Sequence, residues 1–332
     1  MTDVGGDSAA PLAEDFLVRM NEHLRALAEA EYRSDVGEPT LIVVAGPPRS
    51  GTTLALQLLA SCLDVGFVDN LAASFWQAPT YGVRLSRKLF PRPFQSSYRS
   101  SYGRTAGLDE PHEFGYFWNH LLGFRALSEP SKAQRDAVDW DRVKRVVSNV
   151  AVAFGAPWLL KGFQLTWLLQ SFTRALPGTI VVRMLRDDID TACSILRFRE
   201  GAFGSRRHWA SLRPLDWQSW ADESPEHQVA AQVLAIQAAL DAQLATLPEE
   251  RLVLAPLDAL WRDPGGLVET VAERLAAQGV TVARTNRPPD PFTPPDTRRP
   301  AHEAARESRQ AVAEAFRSLG RGDAVPSAGA RR

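Results

Sequence analysis

The 332-residue chain has only two cysteines, Cys62 and Cys193, and lysine at only four positions, Lys88, Lys132, Lys144 and Lys161. Two thiols cannot build the disulfide framework that staples small secreted domains. Each lies in an apolar helical pattern, which predicts buried free thiols. Arginine supplies the other 34 of the 38 basic residues, and 39 acidic residues leave a net charge of −1. A balance that close to zero excludes a global field suited to nucleic acid or an anionic membrane, so any anion must be bound in a local pocket. No apolar run approaches the ~20 residues that span a bilayer. Met1 to Ala10 have neither the basic start nor the apolar stretch of a signal peptide. These features predict a cytoplasmic protein without a membrane span. No cluster of His, Cys, Asp and Glu has metal-ligand spacing, so no metal is expected.

What the chain does have is concentrated in one stretch. The apolar run Leu41-Ile42-Val43-Val44-Ala45 leads into Gly46-Pro47-Pro48-Arg49-Ser50-Gly51-Thr52-Thr53, and then Leu54-Ala55-Leu56-Gln57-Leu58-Leu59 continues at helical period. This reads as strand, glycine-rich loop and helix. In that setting backbone N–H groups can wrap an anion at a helix N-terminus. Gly46, Gly51 and Thr53 fit the nucleotide P-loop spacing G-x-x-x-x-G-K-[ST], but Thr52 stands where the phosphate-binding lysine belongs. A cation reappears inside the loop as Arg49. The loop is therefore built for a phosphorylated donor other than ATP.

Further strands are expected at Trp158-Leu159-Leu160-Lys161, at Thr179 to Leu185 and at Arg251 to Ala255. Helical patterns follow each of them, and others run over Glu113 to Phe124, Trp140 to Phe154 and Pro225 to Leu247. Strands alternating with helices predict an α/β fold, a three-layer α/β/α sandwich on a central parallel sheet. Residues 64–107 and 199–222, rich in arginine and aromatics, read as loop insertions over the acceptor site. The expected organisation is one domain over 1–320, with an amphipathic N-terminal helix at 11–31, a core at 40–278 and a disordered tail at 321–332. The apolar stripe of that first helix suits a cover or a homodimer contact.

Pro48-Arg49-Ser50-Gly51-Thr52-Thr53 resembles the 5′-phosphosulfate loop of sulfotransferases that use 3′-phosphoadenosine 5′-phosphosulfate (PAPS), in the arginine form of the tyrosylprotein and bacterial branches. Arg186 and Ser194, eight apart across a strand–helix junction, are similar to the 3′-phosphate site of that family. The resemblance implies a P-loop-like fold and transfer of a sulfuryl group from PAPS to a hydroxyl of a small-molecule, carbohydrate or lipid acceptor. Arg49, Ser50, Gly51, Thr52 and Thr53 would hold the 5′ end of the donor. Lys161 would neutralise charge at the leaving phosphate, although Lys161-Gly162-Phe163 departs from the K-x-P or K-T-H common there. Tyrosylprotein sulfotransferases place a catalytic glutamate at the position of Asn70, and an amide cannot take up a proton at neutral pH. Glu113 or His112 is then the expected base, with Asp69 as a third option; a helix cap explains Glu113 equally well. A P-loop kinase or nucleotide hydrolase, and a non-catalytic sulfotransferase-like binding protein, remain as alternatives.

Overall fold

A computed structural model describes residues 11–101, 103–124, 127–293 and 303–320. Among them six strands form: β1 (Leu41–Ala45), β2 (Ser100–Ser101), β3 (Arg104–Thr105), β4 (Trp158–Lys161), β5 (Thr179–Leu185) and β6 (Leu252–Pro256). The central sheet is parallel throughout, in the order β4-β1-β5-β6, while β2 and β3 make a separate antiparallel hairpin. Every residue of β1 and β4 is buried, as a parallel sheet covered on both faces demands.

The alternation of side chains along the strands divides the interior in two. Leu41, Val43, Leu160 and Val181 face one core, closed by the Trp140–Phe154, Leu169–Ala175 and Pro225–Leu244 helices. Ile42, Val44, Leu159 and Val182 face the other, closed by Thr52–Cys62 and Pro264–Ala277. The result is the expected three-layer α/β/α sandwich. Because β4 and β5 flank β1 on opposite sides, the connections run to opposite sides of β1 and open a crevice at its carboxyl end. Open α/β sheets bind their ligands in that crevice.

Three stretches differ from the sequence reading. Residues 64–107 are not irregular throughout: a 3₁₀ turn covers Ala72–Phe75, and a helix covers Pro79–Leu89, begun by Pro79 and ended with Arg87 and Lys88 in its last turn. The helix expected from Glu113 starts at Gly115, because Phe114 takes a left-handed φ of 58° as its N-cap. A helix that the pattern did not reveal, Glu303–Ser318, rests Val312, Ala315 and Phe316 on Ile195, Val229 and Val233. The expected tail at 321–332 lies outside the described residues.

The N-terminal helix spans Pro11–Ala30 and is tied down by Asn21. Its amide donates to Leu17 O at 2.9 Å and Ser74 O at 2.8 Å and accepts from the Gln77 N–H at 2.8 Å. Phe16 and Leu27 of its apolar stripe stay exposed. Both cysteines are buried and free. Among the described residues no helix is long and apolar enough to cross a membrane, and no group of three or more His, Cys, Asp or Glu could hold a metal ion.

Candidate active site

The loop after β1 is shaped by its glycines. A Cβ on Gly46 would lie 2.6 Å from Ser50 Oγ, closer than real atoms approach, and a tight 3.1 Å from Met184 Cβ. Gly51 has a φ of +92°, and a Cβ there would meet Leu257 Cδ1 at 2.5 Å. Between them Arg49 adopts a left-handed φ of 69°, a conformation costing about 1–3 kcal/mol for a non-glycine residue and held only where neighbours fix it. The fixing contacts are present. The Arg49 carbonyl accepts a hydrogen bond from Arg186 Nη1 at 2.6 Å, and its Nε donates to Ser194 Oγ at 3.2 Å. Ser50 Oγ donates to Pro47 O at 2.7 Å, closing the turn from within. The following helix has Gly51 as its N-cap, with no capping side chain and no acidic residue in its first turn, which favours an incoming anion.

Lys161, the last residue of β4, reaches this helix start. It is only 3% exposed, and an ammonium so placed needs partners. Its Nζ donates to Thr53 Oγ1 at 3.0 Å, pairs with Glu113 Oε1, and lies 4.7 Å from the Phe163 ring centroid. Gly103, at the tip of the β2–β3 hairpin, covers the same spot: a Cβ there would be 3.4 Å from Glu113 Oε1 and 3.7 Å from Thr53 Oγ1. The structure thus brings Thr53, Lys161 and Glu113 into one cluster. It also removes the cap explanation of Glu113, which lies before the helix and spends its carboxylate on Lys161.

The other acid–base candidates are engaged differently. His112 Nδ1 accepts from the Phe114 N–H at 2.8 Å, so the neutral ring carries its proton on Nε2 and offers no lone pair there. The carboxylate of Asp69 accepts from the Ala72 N–H at 2.8 Å and from the Ser86 hydroxyl, and burial pushes its pKa up. Asn70 donates to Gly107 O at 2.6 Å and Thr105 Oγ1 at 3.2 Å, fixing the segment behind the hairpin.

Arg186 follows β5. Its Nη1 serves Arg49, but Nε and Nη2 are buried with no hydrogen-bond partner, and burial lowers its pKa. The guanidinium lies 6.0 Å from the Trp261 ring centroid. Trp261 lies on the short Leu257–Arg262 helix that follows β6. A separate cavity of about 310 Å³ lies among Arg207, His208, Trp209, Arg213 and Trp217. There Trp209 donates to Leu212 O at 3.3 Å and packs on Trp217 and Trp220, so these aromatics build their own lobe.

Comparison with known proteins identifies the family and the fold. A model of the sulfotransferase family matches residues 39–280. No curated protein sequence matches the chain. Among solved structures, the sulfotransferase STF1 of Mycobacterium tuberculosis H37Rv is 15% identical with a TM-score of 0.51, over 93% of this chain and 86% of its own. The sulfotransferase STF9 of Mycobacterium avium is 12% identical with a TM-score of 0.46, over 96% and 80%. A sulfotransferase domain from the curacin biosynthetic pathway is 12% identical with a TM-score of 0.42, over 72% and 74%. The STF1 likeness supports the P-loop-like fold, and the family match covers the loop, the β4 lysine and the β5 arginine together. The chain belongs to the sulfotransferase family.

Proposed function

We propose that the protein transfers a sulfuryl group from PAPS to a hydroxyl of a small-molecule, carbohydrate or lipid acceptor, in the cytoplasm and without a metal. One observation carries the choice of donor: the buried Nε and Nη2 of Arg186 have no partner, beside a loop whose Arg49 already donates to Ser194. A guanidinium desolvated without partners is costly, and a phosphate gripped by its planar fork would compensate it. These residues fit a donor with an anionic group at each end. Bound there, PAPS would supply an activated sulfuryl group.

Arg49, the amides of residues 50–53 and the Ser50, Thr52 and Thr53 hydroxyls would hold the 5′-phosphosulfate. Arg186 and Ser194 would hold the 3′-phosphate. Lys161, beside Thr53, would neutralise the charge left on the departing phosphate, and Glu113 would take the proton of the acceptor hydroxyl. Positioning and fixed charge then do most of the work, as in phosphoryl transfer. The missing loop lysine at Thr52 argues against a kinase.

The test is thermal unfolding with 3′-phosphoadenosine 5′-phosphate against ATP plus Mg²⁺. A ligand at about 100 times its dissociation constant adds ~2.7 kcal/mol. Stabilisation by the first alone is expected; stabilisation by ATP plus Mg²⁺ alone would overturn the proposal.

A further inference from the structure

The cavity bounded by Arg207, Trp209, Arg213, Trp217 and Gln228 contains no residue assigned above to the donor or to proton transfer. Its volume of about 310 Å³ is that of a small-molecule pocket. Two of its walls are aromatic. Trp209 and Trp217 stand with ring centroids 5.4 Å apart and planes tilted by 55°, so they meet as a corner rather than a stack. The Arg213 guanidinium lies 5.1 Å from the Trp217 ring centroid. Its backbone is fixed, the N–H donating to Leu127 O at 2.8 Å and the carbonyl accepting from the Glu129 N–H at 2.7 Å. No carboxylate lines the cavity. Arg207 is exposed, donates from Nη1 to Glu223 O at 3.2 Å, and forms no ion pair among the described residues.

A further cation stands against these walls. Arg199 is fully buried, with its Cζ 4.9 Å from the Trp209 ring centroid. It donates to Gln228 Oε1 at 2.9 Å, Gln232 Oε1 at 3.1 Å and Arg206 O at 3.3 Å, while its Nε has no partner. All three acceptors are neutral, and burial lowers its pKa to about 10. The amides of Gln228 and Gln232 already hold the lobe, through Ala221 O, Glu223 O, Ala210 O and Leu212 O, a task that needs no charge. A cation buried without an acid is costly, and it makes the low-dielectric space beside it favourable to an anion. We propose that the cavity is a second binding site, for a flat organic anion of one or two aromatic rings bearing a carboxylate, sulfonate or sulfate head. Its rings would pack in the Trp209–Trp217 corner, and its head would face Arg207 in the field of Arg199 and Arg213. A bare inorganic anion would leave the aromatic walls unused, and a neutral ring would leave the charge unused. The proposal does not depend on the donor assigned above.

The experiment titrates the full chain with 2-naphthalenesulfonate by calorimetry, beside 2-naphthalenemethanol and methanesulfonate. Each comparator lacks either the charge or the rings and should bind roughly tenfold more weakly or worse. Arg207→Gln, a change at an exposed side chain that leaves the packing intact, should weaken the naphthalenesulfonate about fivefold or more. Trp217→Ala should do the same, and Trp217→Phe, which keeps a ring and guards against a folding defect, should recover to within about threefold. Arg186→Ala, in the donor site, should leave the affinity within about twofold. Absence of binding by the unaltered chain overturns the proposal. Equal binding of the neutral alcohol overturns it too, because the cavity would then be merely apolar. Loss of binding in Arg186→Ala, with Arg207→Gln and Trp217→Ala unaffected, would put the anion in the donor site and overturn it as well.

Discussion

Replacing Glu113 by glutamine separates a proton acceptor from a mere partner of Lys161. The side chain of Lys161 is 2% exposed and that of Glu113 is 30% exposed. Removing one partner of a fully buried ion pair costs ~3–5 kcal/mol. Here Thr53 Oγ1 and the Phe163 ring still face the ammonium, and Glu113 is reached by water. The expected loss of stability is therefore smaller, about 1–2 kcal/mol. Catalysis should suffer far more. A group that accepts the acceptor's proton contributes ~10²–10⁴-fold, so kcat at saturating donor should fall by that factor. Donor affinity should stay nearly unchanged, because Arg49 and Arg186 are untouched. The assay is steady-state turnover with a thermal melt and donor titration of the same preparation, and Glu113→Asp beside it. The aspartate variant keeps a carboxylate and should recover part of kcat. A Glu113→Gln enzyme within a few-fold of normal kcat would refute the role. Parallel loss of donor binding would make Glu113 an organiser of Lys161 instead.

Four further outcomes are expected. Arg186→Ala should weaken 3′-phosphoadenosine 5′-phosphate by about 1.5–3 kcal/mol, roughly ten- to a hundredfold, in a direct binding titration. Turnover should survive EDTA, since Arg49 and Lys161 stand where a phosphoryl-transfer site has its cation; loss restored by Mg²⁺ would favour a kinase. Gly46→Ala drives a Cβ to 2.6 Å from Ser50 Oγ, so donor binding should be lost together with about 1–3 kcal/mol of stability in a denaturant melt. Burial raises the Asp69 carboxyl above the ordinary carboxylate range, so the folded state keeps its proton to higher pH than the unfolded chain. Its contribution to stability is present at low pH and is lost as pH rises through the raised value; Asp69→Asn should flatten that slope in melts taken across the acid range.

The sheet and its loop were legible because both signals are local. A β-branched run, a turn with obligatory glycines and a helical stripe sit in succession from Leu41 to Cys62, and all three formed as read. The strands at β4, β5 and β6 likewise declared themselves by short, continuously apolar runs. The Glu303–Ser318 helix did not, because Val312, Ala315 and Phe316 are its main apolar anchors and the rest is a mixture of alanine, serine, glutamine and charged residues. Its partners on the Asp188–Phe203 and Pro225–Leu244 helices are remote in sequence, so no window of residues contains the reason it packs. The same holds for Lys161 with Glu113, and for the ion pair of Arg309 with Asp190. Residue types and spacing nominated Lys161 and Glu113 singly and did not single out Arg309 or Asp190; only tertiary pairing decides which charges cancel.

That distinction bears on how a carboxylate can be absent at position 70 and still serve the site. Asn70 and Glu113 belong to two segments that run side by side. The Asn70 N–H donates to Glu110 O at 3.1 Å, the His112 N–H donates to Val68 O at 2.8 Å, and Asp69 faces Pro111 in an antiparallel bridge. A carboxylate on the second segment therefore lies on the same wall as one on the first would. Asn70 holds the 105–107 backbone with its amide, a task that a charged glutamate could not perform because it has no side-chain N–H to donate. The hairpin fixed by that amide carries Gly103, which has no side chain of its own, to the Thr53–Glu113 cluster. On the proposed role of Glu113, the amide at position 70 and the carboxylate at position 113 are two halves of one arrangement. Restoring a glutamate at Asn70 should loosen the hairpin rather than improve the enzyme.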